Sequence, residues 1–475
     1  MSIFDCEKKT EVLLVQPPRV EGKNMNLPYG FEMSLNIPCL AAYLREKNIE
    51  SEIIDMTLYP DSYELLKKFL NKLKPDFVGI TSITADIFHA RDIAKISKEI
   101  LPDVKTIIGG VHSSSLPLET MEEFPVFDYL VFGEGELTLV ELIQSVNGSK
   151  TSEEILGLAY RDNGNIKLNN QRPNIKNIDV LPFPARDKLD FYKYIPTPAN
   201  YYRLPTMGLC ASRGCPFNCT NCSDAVWGRS ARFRSPENVI EELEYSVKKF
   251  GIRNFKIVDD TATTSKKWIT TLCETLLAKK MNLTWNCSSR VDNPDIEVLN
   301  LMKKAGCFQI KYGVESGTEK SLKTINKRAT LEDAEKTMQL CRKVGIESNA
   351  SLMLGIPDET KEDIEETIRF ANRISPDVVT YALLKPFPGS KVYYDAIKED
   401  RIIHKRWDEY LHHGVAVMRH DILSQEELES LYKKAYNSFY FRPRFVFQRF
   451  LKIFRNPIRE IKILLLGMKV MILKK

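Results

Sequence analysis

Histidine is scarce and poorly placed in this chain. There are 6 in 475 residues, and none stands near the one dense group of cysteines. A structural zinc site wants four ligands and usually arrives as two close pairs, so that reading is disfavoured. A secretory leader is not expected either: residues 1–9 show no such pattern, and the 10 cysteines form no obvious pairing framework. Disulfides are therefore not expected, and a reducing, cytoplasmic setting is. No run of about 20 apolar residues is available to cross a bilayer. Net charge is only +5, mild for this length, and no RNA module is recognisable, so nucleic acid is not an expected partner. Acid is missing from one stretch in particular. Residues 439–475 carry ten Lys and Arg against the single acid Glu460, which leaves the rest of the chain slightly acidic.

What is present is length and apolar content. A chain of 475 residues with 43% hydrophobic residues implies a folded protein of two or three domains. Residues 10–150 alternate apolar runs with amphipathic stretches, the pattern of an α/β fold with a doubly wound, Rossmann-like parallel sheet. Strands are expected at 12–15, 52–55, 77–80, 106–108 and 129–132, with helices at 35–46, 63–73, 86–100 and 137–146. Ligands on such sheets bind beyond the carboxyl ends of the strands. The loops there are 16–24, 81–84, 109–113 and 133–136. They carry glycines and small hydroxyls, which let a nucleotide-sized ligand approach the backbone. Taken singly, each glycine serves a tight strand-to-helix turn equally well. A hairpin at 157–168 turns on Asp162-Asn163-Gly164. Prolines 173, 182, 184, 196 and 198 follow, so residues 151–202 read as hairpin and linker.

From about Thr206 the pattern becomes strand then helix, repeated. Strands are expected at 207–211, 255–258, 283–287, 310–314, 350–353 and 378–384. A partial (β/α)6 TIM-like barrel over residues 203–390 accounts for them, with a helical carboxyl-terminal region at 391–475. Chemistry in such barrels sits at the carboxyl ends of the strands. The polar clusters fall there: the cysteine loop, Asp259-Asp260, Arg290 with Asp292, Glu315-Ser316-Gly317 and Leu354-Gly355-Ile356-Pro357.

The cysteine loop, Ser212-Arg-Gly-Cys-Pro-Phe-Asn-Cys-Thr-Asn-Cys222, sets Cys215, Cys219 and Cys222 in a C-x-x-x-C-x-x-C run. Three thiolates this close can wrap one 4Fe-4S cubane. Four irons and three ligands leave one iron open, which makes a site for chemistry as well as electron storage. Cys210, five residues upstream, is the nearby candidate for a fourth ligand. Cys6, Cys39, Cys273, Cys287, Cys307 and Cys341 are scattered and read as ordinary buried thiols.

On these residues the chain resembles radical S-adenosylmethionine (SAM) enzymes, in the subgroup with an amino-terminal cobalamin-binding domain. The resemblance runs from Val12 to about Pro388. Its carriers are SRGCPFNCTNC at 212–222, VDD at 258–260, YGVESG at 312–317, MLGIPDET at 353–360 and KPFPGS at 385–390, with VLLVQPP, TIIGGVHS and VFGEGE in the amino-terminal part. It implies that Cys215, Cys219 and Cys222 ligate the cluster, and that SAM chelates the open iron. It implies SAM contacts at Asp259, Asp260, Glu315 and Ser316, and adenine packed on the backbone of Leu354, Gly355 and Ile356. Each acid taken alone also reads as a helix cap or rim charge. Cobalamin is expected against Ser82, Thr84, Gly109, Gly110, His112, Gly133 and Glu134.

Two departures stand out. Asn221 occupies a position that is often aromatic in the family. An Asp-x-His-x-x-Gly motif is missing, and the corresponding loop reads Pro17-Pro-Arg-Val-Glu-Gly-Lys23. Cobalamin is therefore expected without a histidine ligand to cobalt, with His112 at its periphery. The resemblance implies reductive cleavage of SAM and, with cobalamin, methylation of an unactivated carbon in a small-molecule or lipid-like substrate. A flavodoxin or ferredoxin is the implied electron donor. Cyclisation or rearrangement of a lipid or tetrapyrrole is the alternative within the family. A non-catalytic cobalamin or iron–sulfur sensor is the alternative outside it.

The tail has its own pattern. Residues 428–441 read as a helix. Apolar positions 446, 447, 450, 451 and 454 then recur at helical spacing beside Arg449, Lys452 and Arg455, Pro457 breaks the run, and 458–473 is more apolar still. Such a segment lies on an anionic membrane surface or packs on the protein's own surface. His404, His412, His413 and His420 read as surface positions.

Overall fold

The computed structural model of this chain describes residues 9–19, 30–59, 61–145, 148, 150–292, 295–403, 406–411, 415–454 and 456–472, with the backbone only at 464 and 466–472. Cys6, His404, His412, His413 and most of the 16–24 loop lie outside these residues.

Short, β-branched apolar runs buried on both faces build the first sheet, as parallel strands between helical layers require. Its strands are β1 (Val12–Gln16), β2 (Ser51–Asp55), β3 (Phe77–Thr81), β4 (Lys105–Gly109), β5 (Tyr129–Val131), β6 (Leu158–Asp162) and β7 (Asn165–Leu168), in the order β2-β1-β3-β4-β5-β6-β7. Helices Ser62–Leu73 and Ile87–Ile100 cover one face, and Asn36–Glu46 and Gly135–Ser145 the other. The strand order reverses between β1 and β3. A crevice at such a switch point is where doubly wound sheets bind ligands. The hairpin at the head of the linker belongs to this sheet: β6 pairs antiparallel with β5, closing an edge whose N–H and C=O groups would otherwise be bare. A further helix at Pro117–Glu123 had no counterpart in the sequence pattern.

The second sheet begins with β8 (Thr206–Leu209). A two-residue antiparallel pair, β9 (Ser212–Arg213) and β10 (Arg232–Phe233), then brackets the cysteine loop. Strands β11 (Asn254–Ile257), β12 (Thr284–Arg290), β13 (Cys307–Glu315), β14 (Glu347–Leu354) and β15 (Val378–Leu383) follow, each parallel to its neighbour. Helices between them pack outward around Phe255, Trp285, Phe370 and Tyr381, all fully buried. Ser235 caps helix Pro236–Phe250 by accepting from the Asn238 amide, as Ser before Pro predicts. The barrel is partial, since its strand order runs openly from β8 to β15. The free edge of β15 is covered by tyrosines of helix Gln425–Tyr440: the Tyr436 and Tyr440 hydroxyls donate to the carbonyls of Tyr381 and Val379, at 3.0 and 2.6 Å.

Helices Pro443–Ile453 and Pro457–Ile472 turn their cations inward. Arg449 bonds Glu460 at 3.0 Å, Arg459 bonds Glu347 at 2.9 Å, and Lys452 bonds Asp377 at 2.7 Å. Glu347 and Asp377 flank the amino-terminal starts of β14 and β15, so the basic face packs on the barrel's floor. The apolar face looks outward, with Phe447 62% and Phe454 76% exposed. No helix among the described residues is long and apolar enough to cross a membrane.

Candidate functional site

The cysteine loop leaves the carboxyl end of the first barrel strand and is rooted by Asp259. That buried carboxylate accepts from the Ala211 amide at 2.8 Å and the Ser212 hydroxyl at 2.6 Å. Burial pushes its carboxyl up to about 6. Asp259 therefore shapes the loop, and the exposed Asp260 is the acid left facing solvent. Gly214 has φ +86, and a Cβ there would lie 2.4 Å from the Ser230 carbonyl oxygen, so the tight entry to the loop requires glycine.

Cys219 is buried, Cys215 half-buried and Cys222 exposed. The neighbouring Cys222 thiol, assisted by the charges of Lys327 and Arg290, holds the Cys219 thiol below its ordinary pKa. Arg290 sits 4.0 Å from the Cys219 sulfur and stacks on Phe217 at 3.9 Å. It is fixed by Asp292 and the Lys327 carbonyl, each at 2.6 Å. Cations here suit an iron–sulfur cluster held by three thiolates, whose summed charge is negative. Among the described residues, no three His, Cys, Asp or Glu side chains converge tightly enough for a single metal ion. A cubane asks for a different arrangement, one thiolate per iron. Cys210 donates its S–H to the Ser212 carbonyl at 3.3 Å, and burial raises its pKa strongly, so it stays a thiol within the scaffold.

The opposite rim is built by β13 and β14. Glu315 ends β13 in a left-handed conformation, φ +70, at a bulge. Its carboxylate folds back to Lys327 at 2.8 Å. A Cβ on Gly313 would lie 2.3 Å from that carboxylate, so glycine two residues earlier makes the fold-back possible. Ser316 is fully buried against the Thr367 hydroxyl at 3.1 Å. Glu359, also fully buried, accepts from the Gly355 and Ile356 amides at 2.9 and 3.0 Å and from Ser321 at 2.7 Å. Burial pushes its carboxyl up to about 7. Glu359 thus fixes the backbone after β14, and the ring of His420 bonds the Ile356 carbonyl at 3.0 Å from the other side. The surface position expected for His420 is in fact a packing contact with this loop.

The rim therefore brings together the cysteine loop, Asp260, the Glu315 carboxylate and the Gly355 backbone. The side chains of Asp259, Ser316 and Leu354 turn into the scaffold. Lys327 and Glu359 escaped sequence reasoning. Glu359 at least lay inside a quoted motif, whereas Lys327 gave no signal.

At the first sheet, the amide of Ser82 donates to the Gly109 carbonyl at 2.9 Å, joining the β3 and β4 loops. Gly110 has φ +102, and a Cβ there would lie 2.5 Å from the Ser82 carbonyl oxygen. The Ser82 and Ser113 hydroxyls are buried without hydrogen-bond partners among the described residues, and around Gly133, at φ +76, the space is open. Buried hydroxyls in native proteins are normally bonded, so this edge fits a large polar ligand that supplies the missing groups.

Two expected contacts go elsewhere. His112 is 1% exposed, with its ring edge-on to Trp407 at 5.0 Å and 3.4 Å from the Thr84 hydroxyl. Burial pushes its pKa down to about 4. Helix Val111–Ser115 turns the ring into the protein. The Glu134 carboxylate faces Arg213 and Arg232, each at 2.9 Å, and the Ile175 amide at 2.6 Å. Glu136 bonds the same Arg213 at 2.5 Å. The GEGE loop is thus a clamp on the strand that enters the cysteine loop. Beside it, Ser115 meets Ser223 at 3.4 Å, and Gly389 packs so closely that a Cβ would lie 2.3 Å from the Ser223 hydroxyl. The carboxyl edges of the two sheets consequently face each other.

The sequence model of the radical SAM superfamily matches residues 209–371, and that of the B12 binding domain matches residues 28–143. Over 438 residues the chain is 33% identical to an uncharacterized methyltransferase of Pyrococcus horikoshii, covering 92% of this chain and 94% of that protein. It is 29% identical over 421 residues to an anaerobic magnesium-protoporphyrin IX monomethyl ester cyclase of Rubrivivax gelatinosus, covering 87% of this chain and 74% of that one. Among solved structures, the radical SAM methyltransferase TsrM from Kitasatospora setae, with cobalamin and a 4Fe-4S cluster bound, shares the fold. The TM-score is 0.68 at 20% identity, covering 82% of this chain and 75% of that one.

Proposed function

The chain belongs to the radical SAM superfamily, with a B12 binding domain ahead of its barrel, and on that premise we propose that it methylates an unactivated carbon of a small-molecule substrate. When bound, a reduced 4Fe-4S cluster supplies the electron that cleaves SAM, and cobalamin supplies a transferable methyl group. We assign Cys215, Cys219 and Cys222 to the cluster, with Arg290 and Lys327 balancing its charge. Asp260 takes the SAM amino group, and Asp259 acts as a positioning residue through the loop it roots. Glu315, steadied by Lys327, meets the ribose hydroxyls. The Leu354-Gly355-Ile356 backbone, pinned by Glu359, seats the adenine, while Ser316 holds Glu359's surroundings in place. Cobalamin lies against Ser82, Gly109, Gly110, Ser113 and Gly133, with Thr84 and His112 behind the loop and no histidine assigned to cobalt. In this reading residues 10–150, with the added hairpin, form the cobalamin unit and 203–390 the SAM barrel.

The observation that carries the proposal is the junction of Ser115, Ser223 and Gly389, where the two ligand-binding edges abut. Anaerobically reconstituted chain, given methyl-labelled SAM and a cell extract, is expected to place label in a small molecule. Deoxyadenosine without label in any product would favour cyclisation instead.

Two partners follow. Cys222 is exposed, which gives a flavodoxin or ferredoxin access to the cluster edge. The outward row of Val446, Phe447, Phe450, Leu451, Phe454 and Ile458, with Arg444 and Lys462 exposed beside it, supports peripheral contact with an anionic membrane surface. Cosedimentation with anionic vesicles that is lost in Phe447→Asp checks this contact.

A further inference from the structure

The barrel lumen carries charge that the cofactor sites leave unassigned. Strand register fixes which side chains share its inner face, because directly paired residues of neighbouring parallel strands point the same way. Gly208, Lys256, Asn286 and Gln309 align across β8, β11, β12 and β13. One step nearer the rim, Ser288, Lys311 and Asn349 align across β12, β13 and β14. The alternate residues Cys287, Ile310 and Ala350 are buried in the core under the outer helices, so the polar set faces the lumen. Lys256 is already paired, to Glu32 at 2.7 Å, and Glu32 also takes the Asn200 amide at 2.8 Å. Lys311 has no hydrogen-bond or ion-pair partner among the described residues. It is exposed although Ile310 and Tyr312 on either side are buried. Desolvation, and then the charge of Lys256, lower its pKa, opposed in part by the carboxylates of Glu315 and Glu32.

We propose that the substrate bears an oxyanion, a carboxylate or phosphoryl group, that seats on Lys311 inside the barrel with Ser288 and Asn349 beside it. The proposal rests on the methyltransferase reading above and names its substrate class. An ammonium in the lumen with no direct ion-pair partner is satisfied by water alone, and an oxyanion would form charge-assisted hydrogen bonds with it. A bare hydrocarbon filling the same lumen would strip water from Lys311 and return nothing. SAM does not explain the site. Its charged groups belong at the rim with the cysteine loop, whereas Lys311 stands four residues inside Glu315 on β13.

The test uses the full chain purified without cluster or corrinoid, with inorganic phosphate in one arm and acetate in the other, followed by NMR line broadening. Saturable binding of either anion is expected. Phosphate alone indicates a phosphoryl substrate, and acetate alone a carboxylate. Lys311→Met should weaken binding by about tenfold or more. Glu32→Gln, which frees Lys256, should tighten it, and Lys95→Met on the outer surface should leave it unchanged. The tightening in Glu32→Gln keeps the test decisive should Lys311→Met fold poorly. No saturable binding in the wild type, or binding by Lys311→Met equal to wild type, overturns the proposal. SAM cleavage by reconstituted wild type is measured separately, so failure of the radical SAM reading shows there and not in anion binding.

Discussion

The two facing sheet edges handle their polar groups in opposite ways. At the barrel rim Asp259, Glu315, Ser316 and Glu359 all have protein partners, so the rim holds its shape through its own bonds. At the first sheet the Ser82 and Ser113 hydroxyls are buried without partners among the described residues, and Gly133 opens on space. One edge is organised in advance. The other reaches polar balance when its ligand arrives. Specific motifs collect on the first kind of edge because many bonds there must be met at once. Small residues suffice on the second.

The contrast can be broken most severely at the residue that ties the edges together. Arg213 is paired with Glu134 and Glu136 in a buried network. Arg213→Ala leaves the buried Glu136 without its cation, while Glu134 keeps Arg232, and should cost about 3–5 kcal/mol in denaturant unfolding. A loss below about 1 kcal/mol, the level of an exposed ion pair, would mean the clamp is solvent-screened.

Gly110→Ala comes next. Its φ of +102 and the clash with the Ser82 carbonyl predict about 1–3 kcal/mol of backbone strain. Cobalamin retention, read by its visible absorbance, should fall with it. Unchanged retention would move the ligand away from this loop.

Titration sharpens the comparison, since the edges should respond to pH in opposite directions. Glu359 sits at about 7 in the folded protein against an ordinary 4.5. Its contribution is full below pH 4.5 and is lost as pH rises towards 7. His112 sits at about 4 against 6.5. Its contribution is full above pH 6.5 and is lost as pH falls towards 4. Stability-versus-pH curves of Glu359→Gln and His112→Gln, each subtracted from wild type, should slope in opposite senses. Parallel slopes would remove the distinction.

The smallest effect belongs to Gly133→Ala. With open space around the position, only the left-handed backbone is penalised, by about 1 kcal/mol. A larger loss would reveal a contact the open edge should lack.

Much of this architecture was legible in the chain. The barrel strands fell within a few residues of their expected places, because buried apolar runs bounded by turns carry their own signal. The β6–β7 hairpin was legible as a hairpin but not as part of the first sheet, since covering the β5 edge is a tertiary need. Glu134 drew notice within its motif, but a motif does not say which partner a carboxylate meets. Here the partner, Arg213, lies in another motif on another sheet. Lys327 was silent because its carboxylate lies across a loop, and a lone lysine reads as surface. In the tail, periodicity revealed two faces but not which one turns inward. Arg449 and Arg459 face the barrel because Glu347 and the Asp377 carbonyl await them there, with Glu460 of the tail itself bonded to Arg449.

The most direct test is the EPR spectrum of the reduced, reconstituted full chain before and after SAM is added. A cubane with one iron free for SAM predicts a 4Fe-4S signal that shifts on addition, in wild type and Cys210→Ser alike, and that is lost in Cys219→Ala. A cluster signal indifferent to SAM, or one that requires Cys210, would contradict the account.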